Sequence, residues 1–298
     1  MANTPRGGTE LMADRINSLQ PELLSKFQII HSRVRELDSS KKKIYVLHDL
    51  AGDPEVAHLA NGGWKKFDKL VFVSHWQQQM YNVYLGVPFS AGVVLQNAIN
   101  PIEVHEKPDD KIRLMYFSTP HRGLELLYPA FDHLYKKWGD KIELNVFSSF
   151  GLYGWEERDK PYEELFAALK AHKGINYSKA VSNEKIREEL KRSHILAYPS
   201  IWQETSCLVL IEAMCAGLTC VHSSLAALPE TALGSTYMYD YTENDQQHLN
   251  RFADVLDEAV EKVEAGWATS DEKLEFLNEF YSWDYRRNQW EYLLTSLL

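Results

Sequence analysis

The stretch Tyr198-Pro-Ser-Ile-Trp-Gln-Glu-Thr-Ser-Cys-Leu-Val-Leu-Ile-Glu-Ala-Met-Cys-Ala-Gly217 has the pattern of a strand, a polar loop and a helix. The apolar run from His194 to Tyr198 predicts a short buried strand, because it stops at the turn-forming pair Pro199-Ser200. From Leu208 the apolar residues recur at helical spacing, and Gly217 stands where helices commonly end. A second short apolar run follows directly. The pattern therefore predicts a βαβ unit whose polar loop lies at the carboxyl end of its first strand.

Two carboxylates lie eight residues apart in this stretch, Glu204 in the loop and Glu212 in the helix. In an open parallel sheet the carboxyl ends of the strands are the edge at which ligands bind. A helix that begins there offers free N–H groups and the positive end of its dipole. Thr205 and Ser206 could cap these groups or leave them to a phosphate. The spacing by itself favours the simpler interpretation, a capped helix with two solvent-facing acids.

The same residues resemble the E-x7-E signature of the retaining GT-B glycosyltransferases, the glycogen-synthase-like group 1 (GT4) family. The match consists of Pro199-Ser200, Glu204, Glu212-Ala213 and Gly217, with a loop one residue longer than usual before the first acid. The resemblance implies two facing Rossmann-like domains with parallel sheets and a C-terminal helix that crosses back to the N-terminal domain. It also implies transfer of a hexosyl or pentosyl group from a nucleotide-sugar donor, with retention of the anomeric configuration.

The composition is that of an ordinary globular protein, and 298 residues are enough for two domains or for one large α/β domain. The formal net charge of −10 argues against general binding of nucleic acid by charge. Cys207, Cys215 and Cys220 lack metal-ligand spacing and are expected to be reduced core residues. The N-terminus is polar and no apolar run approaches about 18 residues. We therefore expect a cytoplasmic protein without a signal peptide or transmembrane segment.

The first half of the chain predicts a parallel sheet with helices on both faces, because its β-type runs are nearly continuously apolar. Helical patterns run from Thr9 to Leu19, around Asp53–Ala60 and from His75 to Leu85. The family has a strand before its first helix, and the chain leaves almost no room for one, so this strand is predicted to be missing or reduced. The predicted strands are Phe27–His31, Lys43–Leu47, Leu70–Val73 and Gly92–Leu95.

Polar residues in this half follow predicted strands, at the edge where ligands bind in parallel sheets. The pair His48-Asp49 ends the second strand and Ser74 follows the third, so we expect all three on the acceptor side. A helix cap and a surface histidine explain the pair equally well. Gly7-Gly8 precedes the first helix, and the resemblance implies that it faces the donor diphosphate and the acceptor. Without the resemblance, two glycines near a terminus usually form a flexible linker.

The second half repeats the alternation of strands and helices after a charged segment, Glu103–Lys111. Just before it, Asn97–Pro101 resembles the family's hinge. We predict an N-terminal domain over residues 1–105, a C-terminal domain over 106–280 and a terminal helix over 281–298. The predicted strands are Arg113–Phe117, Ile142–Phe147 and Ile175–Tyr177 in addition to those of the βαβ unit. The predicted helices are Leu124–Trp138, Tyr162–His172, Asn183–Ser193 and Asp245–Gly266.

Arg122-Gly123 lies between a predicted strand and a predicted helix, where an arginine and a helix N-terminus can hold a phosphate. A solvated arginine in a turn is the simpler alternative. The family has two basic groups here, in Gly-Arg and Lys-Gly pairs that contact the donor diphosphate. Arg122-Gly123 fills the second place, whereas Ser118-Thr119 replaces the first. Arg113 lies inside a strand and is a poor replacement, and Arg6 is a better one.

The resemblance assigns these residues to one reaction without a cofactor, in which the nucleotide sugar is a substrate. No metal is expected, since the sequence has neither an Asp-x-Asp triplet nor a His/Cys cluster with ligand spacing. The predicted catalytic residues are Glu204, Arg122, Asp49 and His48. The predicted donor-binding residues are Gly7, Gly8, Arg122, Thr205, Ser206, Cys207 and Glu212, and the acceptor-side residues are His48, Asp49 and Ser74.

The acceptor stays open, as a glycan, a lipid-linked sugar, a protein or a nucleic acid base. The main alternative function is a sugar-nucleotide-binding or scaffold protein with a degenerate active site, for which the lost Gly-Arg pair argues. The two intact acids of the signature argue for an enzyme. A dinucleotide oxidoreductase is disfavoured because no Gly-x-Gly-x-x-Gly follows a predicted strand.

Overall fold

A computed structural model describes residues 5–103 and 105–298. The chain divides into two compact units, each assembled from segments that are separated in the sequence. The N-terminal unit consists of Gly8–Pro101, Gln203–Leu208 and Glu279–Leu298. The C-terminal unit consists of residues 5–7, Ile102–Trp202 and Val209–Asn278.

The N-terminal unit contains a four-stranded parallel sheet in the order β1-β2-β3-β4. Residues of β2 and β3 are buried on both faces, which explains their unbroken apolar sequence. Each strand lies within one residue of the range predicted for it. Among the described residues of this unit no strand precedes the first helix. The strands are β1 Phe27–His31, β2 Lys42–Leu47, β3 Lys69–Phe72 and β4 Gly92–Val94.

The helices in the first segment of the N-terminal unit lie before β1 and in the connections between its strands. The predicted helix around Asp53–Ala60 is a 3-10 helix, Pro54–Leu59, capped by the Asp53 side chain. The helix after β3 starts at an N-cap serine and ends at Gly86 with φ +67°, a left-handed conformation that suits glycine. The α-helices are α1 Gly8–Asn17, α2 Pro21–Leu24 and α3 His75–Leu85, and further 3-10 helices span Gly63–Lys66 and Phe89–Ala91.

The C-terminal unit contains a six-stranded parallel sheet in the order β10-β9-β8-β5-β6-β7. This is the doubly wound order in which the first strand, β5, lies at the centre and its neighbours β6 and β8 lead in opposite directions. The loops after β5 and β8 therefore meet at the point where such sheets bind ligands. The strands are β5 Ile112–Tyr116, β6 Ile142–Phe147, β7 Ile175–Ser178, β8 Ile195–Tyr198, β9 Thr219–Ser223 and β10 Tyr237–Tyr239.

The helices of this unit alternate with its strands, as expected for a doubly wound sheet. The segment after β6 contains glycine and several aromatic residues and forms two 3-10 helices, Phe150–Tyr153 and Glu156–Tyr162. The α-helices are α4 Leu124–Trp138, α5 Glu163–Ala171, α6 Asn183–Arg192, α7 Leu208–Cys215, α8 Leu228–Ala232, α9 Asp245–Glu264 and α10 Asp271–Phe280.

The terminal helix α11, Trp283–Ser296, belongs to the N-terminal unit, which confirms the predicted return of the chain. Its Trp290 is 1% exposed and shares a core with Met12 and Ile16 of α1 and Ile44 of β2. The backbone of Ile99 fixes the start of the helix, since its N–H donates to the Tyr281 carbonyl and its carbonyl accepts from the Trp283 N–H, both at 2.8 Å. Two parallel-sheet, Rossmann-like units are thus present, as the sequence predicts. No helix in the described parts of the chain is long and apolar enough to cross a membrane.

Candidate functional site

The loop after β5 carries Arg122 and is held against the end of β8. Gly123 has φ +110°, and a Cβ atom at this position would lie 2.1 Å from the carbonyl oxygen of Pro199. Only glycine permits this approach of two backbones. The loop therefore places Arg122 immediately before α4, whose first N–H groups point towards the same edge of the sheet.

Aromatic rings surround the residue before Arg122. His121 stacks on Phe150, with ring centroids 5.1 Å apart and planes 12° apart, and its edge meets the ring of Trp202 at 4.8 Å. Burial, and then the charges of Arg122 and Arg158, lower the pKa of His121 to about 4. The imidazole is therefore uncharged at neutral pH. Trp202 remains 42% exposed, so its ring offers an aromatic surface at this edge.

The second cation of the family pattern is not replaced by Arg113. This guanidinium forms a bidentate pair with Asp110, at 2.7 and 2.8 Å, and a bond of 2.9 Å to Glu143. Thr119, in the place of the family's arginine, is 1% exposed. Arg6 belongs to the same unit, where its backbone N–H donates to the side chain of Asn183 at 3.0 Å, at the start of α6.

The signature stretch forms the predicted strand, loop and helix. Ser200 is fully buried, and its carbonyl accepts a 2.9 Å hydrogen bond from the Ser223 hydroxyl, which ties the end of β8 to the end of β9. Glu212 lies half-buried in α7, within the C-terminal unit. Glu204 is 5% exposed and lies in the segment Gln203–Leu208, which belongs to the N-terminal unit.

Within the N-terminal unit the signature loop contacts the end of β2. The Thr205 hydroxyl donates to the His48 carbonyl at 2.9 Å, so this hydroxyl holds the loop to the sheet. Ser206 is half-buried and Cys207 is buried as a free thiol, as predicted for the cysteine. A Cβ on Gly8 would lie 3.0 Å from Leu208 Cδ1, so the glycine lets the start of α1 approach the start of α7. Gly7 is buried in the C-terminal unit.

The predicted acceptor-side residues lie at the carboxyl ends of β2 and β3. The Gln77 amide donates to the carbonyls of Leu47 at 3.2 Å and Asp49 at 2.9 Å, and its oxygen accepts from the Val73 N–H. Ser74 caps α3 by accepting from the Gln77 N–H at 3.0 Å and is 1% exposed. Its hydroxyl thus has a structural task, and its part in acceptor binding stays a prediction. The Ser-x-x-Gln spacing of a capping box is the sequence signal that points to Gln77.

Sequence reasoning did not single out His31 and Ser32, which lie at the end of β1 beside His48 and Asp49. The rings of His31 and His48 stack with centroids 6.3 Å apart and planes 20° apart. Burial lowers the pKa of His31 to about 4, and burial together with the His31 charge lowers that of His48 to about 3. Burial, and then the charge of Asp53, raise the pKa of Asp49, and the charge of Arg33 and the Ser32 side chain oppose this rise in part. Ser32 has φ +53°, an uncommon backbone conformation for a serine.

Two Rossmann-like units completed by a returning terminal helix define the GT-B class of glycosyltransferase fold. The family model of the group 1 glycosyl transferases matches residues 100–262, more than half of the chain. The chain therefore belongs to the group 1 glycosyl transferases. A comparison with curated proteins gives no significant match.

Solved structures of similar fold agree with this class. A glycosyltransferase from Rickettsia africae has a TM-score of 0.71 at 14% identity, with 97% of this chain and 80% of that chain covered. The HepE protein of Anabaena, in complex with UDP and glucose, has a TM-score of 0.64 at 14% identity, with 86% and 72% covered. The sucrose-phosphate synthase of Thermosynechococcus elongatus has a TM-score of 0.64 at 15% identity, with 86% and 68% covered.

Proposed function

We propose that this protein is a retaining glycosyltransferase that takes its sugar from a nucleotide-sugar donor and works without a metal ion. The observation that carries the proposal is the signature Glu204–Glu212 on the β8-loop-α7 segment, inside the region that matches the family. Similar folds in complex with UDP make uridine nucleotides the first donors to test.

Donor binding is assigned to the C-terminal unit. Arg122 and the N-terminus of α4 supply positive charge at one point of the sheet edge, which suits a diphosphate. Arginine can bind a phosphate through two parallel hydrogen bonds, and it stabilises the charge that develops when the diphosphate leaves. Glu212 would accept hydrogen bonds from the ribose hydroxyls, and Gly7 would allow the diphosphate to approach the backbone.

Glu204 would orient the transferred sugar, and His48 and Asp49 would contact the acceptor. A retaining reaction of this family needs no protein nucleophile, because the leaving diphosphate can accept the proton of the acceptor hydroxyl. Asp49 is therefore assigned a hydrogen-bonding role, and its raised pKa is not required for catalysis.

The proposal is tested by incubating the purified protein with a panel of sugar nucleotides, with and without EDTA, and measuring release of the nucleoside diphosphate. We expect the protein to hydrolyse one donor, and we expect EDTA not to change the rate. The sugar that NMR first detects should have the anomeric configuration of the donor. An inverted first product contradicts the retaining mechanism, and loss of activity in EDTA contradicts metal independence.

A second function, binding of a nucleotide sugar without transfer, is favoured by one observation. Ser118 and Thr119 stand in place of the family's arginine, and Arg113 is held by two acids at the other end of β5. Calorimetric binding of a nucleotide sugar that the protein does not turn over supports this function. Arg6 is then the residue whose replacement shows whether a second cation is present.

A further inference from the structure

Hydrogen bonds fix the backbone on both sides of the His48 ring. The Thr205 hydroxyl donates a hydrogen bond to the His48 carbonyl at 2.9 Å. The side-chain amide of Gln77 donates to the carbonyls of the two flanking residues, Leu47 and Asp49. The ring nitrogen Nε2, by contrast, is buried and has no hydrogen-bond partner among the described residues. The imidazole of His31 is stacked beside this ring, with centroids 6.3 Å apart.

Further buried polar atoms beside His48 lack hydrogen-bond partners in the part of the chain that the structure describes. Both ring nitrogens of His31 and the Oδ2 atom of Asp49 share this condition within the described chain. A buried polar atom without a partner destabilises a fold, so a group of such atoms calls for a functional explanation. The backbone of Ser32, with φ +53°, adds strain directly after His31.

We propose that His31 is a positioning residue that holds the His48 imidazole uncharged and in one plane, and that His48 and Asp49 then recognise an uncharged hydroxyl group of the acceptor. The inference rests on the proposed function, which assigns the acceptor to this unit. His31 orients the His48 ring by stacking on it. The two adjacent imidazoles would also repel each other if both were charged, so the buried pair favours the neutral state.

The charged groups around Asp49 favour a neutral ligand. Asp53 and Glu55 lie on the 3-10 helix after β2 and its cap, and both act on Asp49. Arg33, whose charge lowers the pKa of Asp49, is paired to Glu55 at 2.5 Å. Negative charge therefore predominates around Asp49. A neutral imidazole can donate a hydrogen bond to a hydroxyl or accept one from it, and a carboxylate accepts one, whereas an anionic acceptor is repelled.

The test is an NMR titration of histidine ring signals in the full-length protein, with His48 identified by the loss of its signal in His48→Asn. We compare the wild type with His31→Phe, which keeps a stacked ring that cannot be charged, and His31→Ala, which removes the ring. His48 should not titrate between pH 5 and 8 in the wild type or in His31→Phe. In His31→Ala its pKa should rise towards about 6.5 as solvent reaches the ring.

The exposed His133 on α4 supplies the matched control, because His133→Ala should leave the His48 signal unchanged. An unchanged His48 titration in a folded His31→Ala overturns the positioning role. If His31→Ala does not fold, the proposal is tested with His31→Phe alone. Titration of His48 between pH 5 and 8 in that variant also overturns the positioning role of His31.

The ligand chemistry is tested with two probes, methyl α-D-glucopyranoside and glucose 6-phosphate. The neutral glycoside should shift the His48 signal saturably, about tenfold more tightly than the phosphate, and about tenfold more weakly in His31→Ala at pH 6. Tighter binding of the phosphate, or no shift with either probe, overturns the hydroxyl recognition. Donor hydrolysis is measured in the same samples, because it tests the proposed transferase function independently of the positioning role of His31. Failure of one proposal can thus be distinguished from failure of the other.

Discussion

The carboxyl edges of the two sheets carry opposite chemistry. In the C-terminal unit the edge presents Arg122, the N-terminus of α4 and close backbone packing at Gly123. In the N-terminal unit it presents two stacked, uncharged histidines and a carboxylate. We call the first the anion-binding edge and the second the hydroxyl-binding edge, after the ligands proposed for them. Side chains at strand ends, and not the fold, determine the ligand.

The largest expected effect comes from the glycine that builds the anion-binding edge. Gly123→Ala places a Cβ 2.1 Å from the Pro199 carbonyl at φ +110°, so we expect the free energy of unfolding to fall by more than about 3 kcal/mol. Gly154→Ala is the control, since it has φ +71° in the left-handed helical region but nothing within 4 Å, and should lower that free energy by only about 1–2 kcal/mol. Urea unfolding followed by tryptophan fluorescence measures both, and equal effects would show that the close packing is unimportant.

Replacing the cation itself should abolish most activity while leaving the fold intact. Arg122→Ala should lower donor turnover about 100- to 1000-fold, the range expected when a charge-stabilising group is lost. Arg122→Lys should restore part of it, since lysine lacks the bidentate geometry. Arg251→Ala, an exposed arginine on α9, is the control for loss of charge. Near-wild-type turnover of Arg122→Ala would move the phosphate assignment to Arg6.

Glu204 should affect turnover more than binding. We expect Glu204→Ala to lower kcat strongly with little change in the Kd for the donor, the pattern of an interaction made mainly in the transition state. The neighbouring Gln203, which is exposed, gives the control Gln203→Ala. Calorimetry and steady-state kinetics separate the two quantities, and a weakened Kd with unchanged kcat would assign Glu204 to donor binding alone.

Glu212 should affect binding more than turnover. Glu212→Gln removes a charge-assisted hydrogen bond to the ribose, so nucleoside diphosphate affinity should fall by about 1–3 kcal/mol. Glu188→Gln on α6 is the exposed control. Unchanged affinity for the correct nucleotide, measured by calorimetry, would remove the ribose assignment.

The smallest expected effect concerns acid stability of the hydroxyl-binding edge. The pKa of His31 is lowered to about 4, so the unfolded state, with its ordinary pKa near 6.5, binds the proton more readily. Stability that is present above pH 6.5 is therefore lost as the pH falls towards 4. His31→Phe should reduce this loss, which thermal unfolding of both proteins at pH 5 and pH 7.5 measures. An equal drop in Tm for both would show that His31 does not titrate on unfolding.

The sequence predicts most of the secondary structure because its signals are local. The strand β6 and the helices α3 and α4 match their predicted ranges, since apolar runs, Ser74 and Gly86 define their limits. The strand β10 escapes prediction because it has only three residues and its Met238 is 47% exposed. The helix predicted for Asp53–Ala60 is a 3-10 helix, a distinction that hydrophobic spacing does not make.

The candidate site is predicted less completely, because part of it depends on contacts between distant residues. The motif identifies Glu204 and Glu212, but no pattern indicates that Thr205 bonds to the His48 carbonyl. His31 ends an ordinary apolar strand, and only the parallel pairing of β1 with β2 brings it beside His48. Tertiary pairing, and not local sequence, therefore determines the acceptor-side geometry.

The return of α11 to the N-terminal unit has a consequence for folding during synthesis. Met12, Ile16 and Ile44 are translated early, yet the tryptophan that completes their core, Trp290, follows the whole C-terminal unit in the chain. Until then the first hundred residues expose an uncovered apolar face. The C-terminal unit, whose segments from Ile102 onward are translated before α11, can fold first. On the ribosome, the unit that is made first is thus the last to be finished.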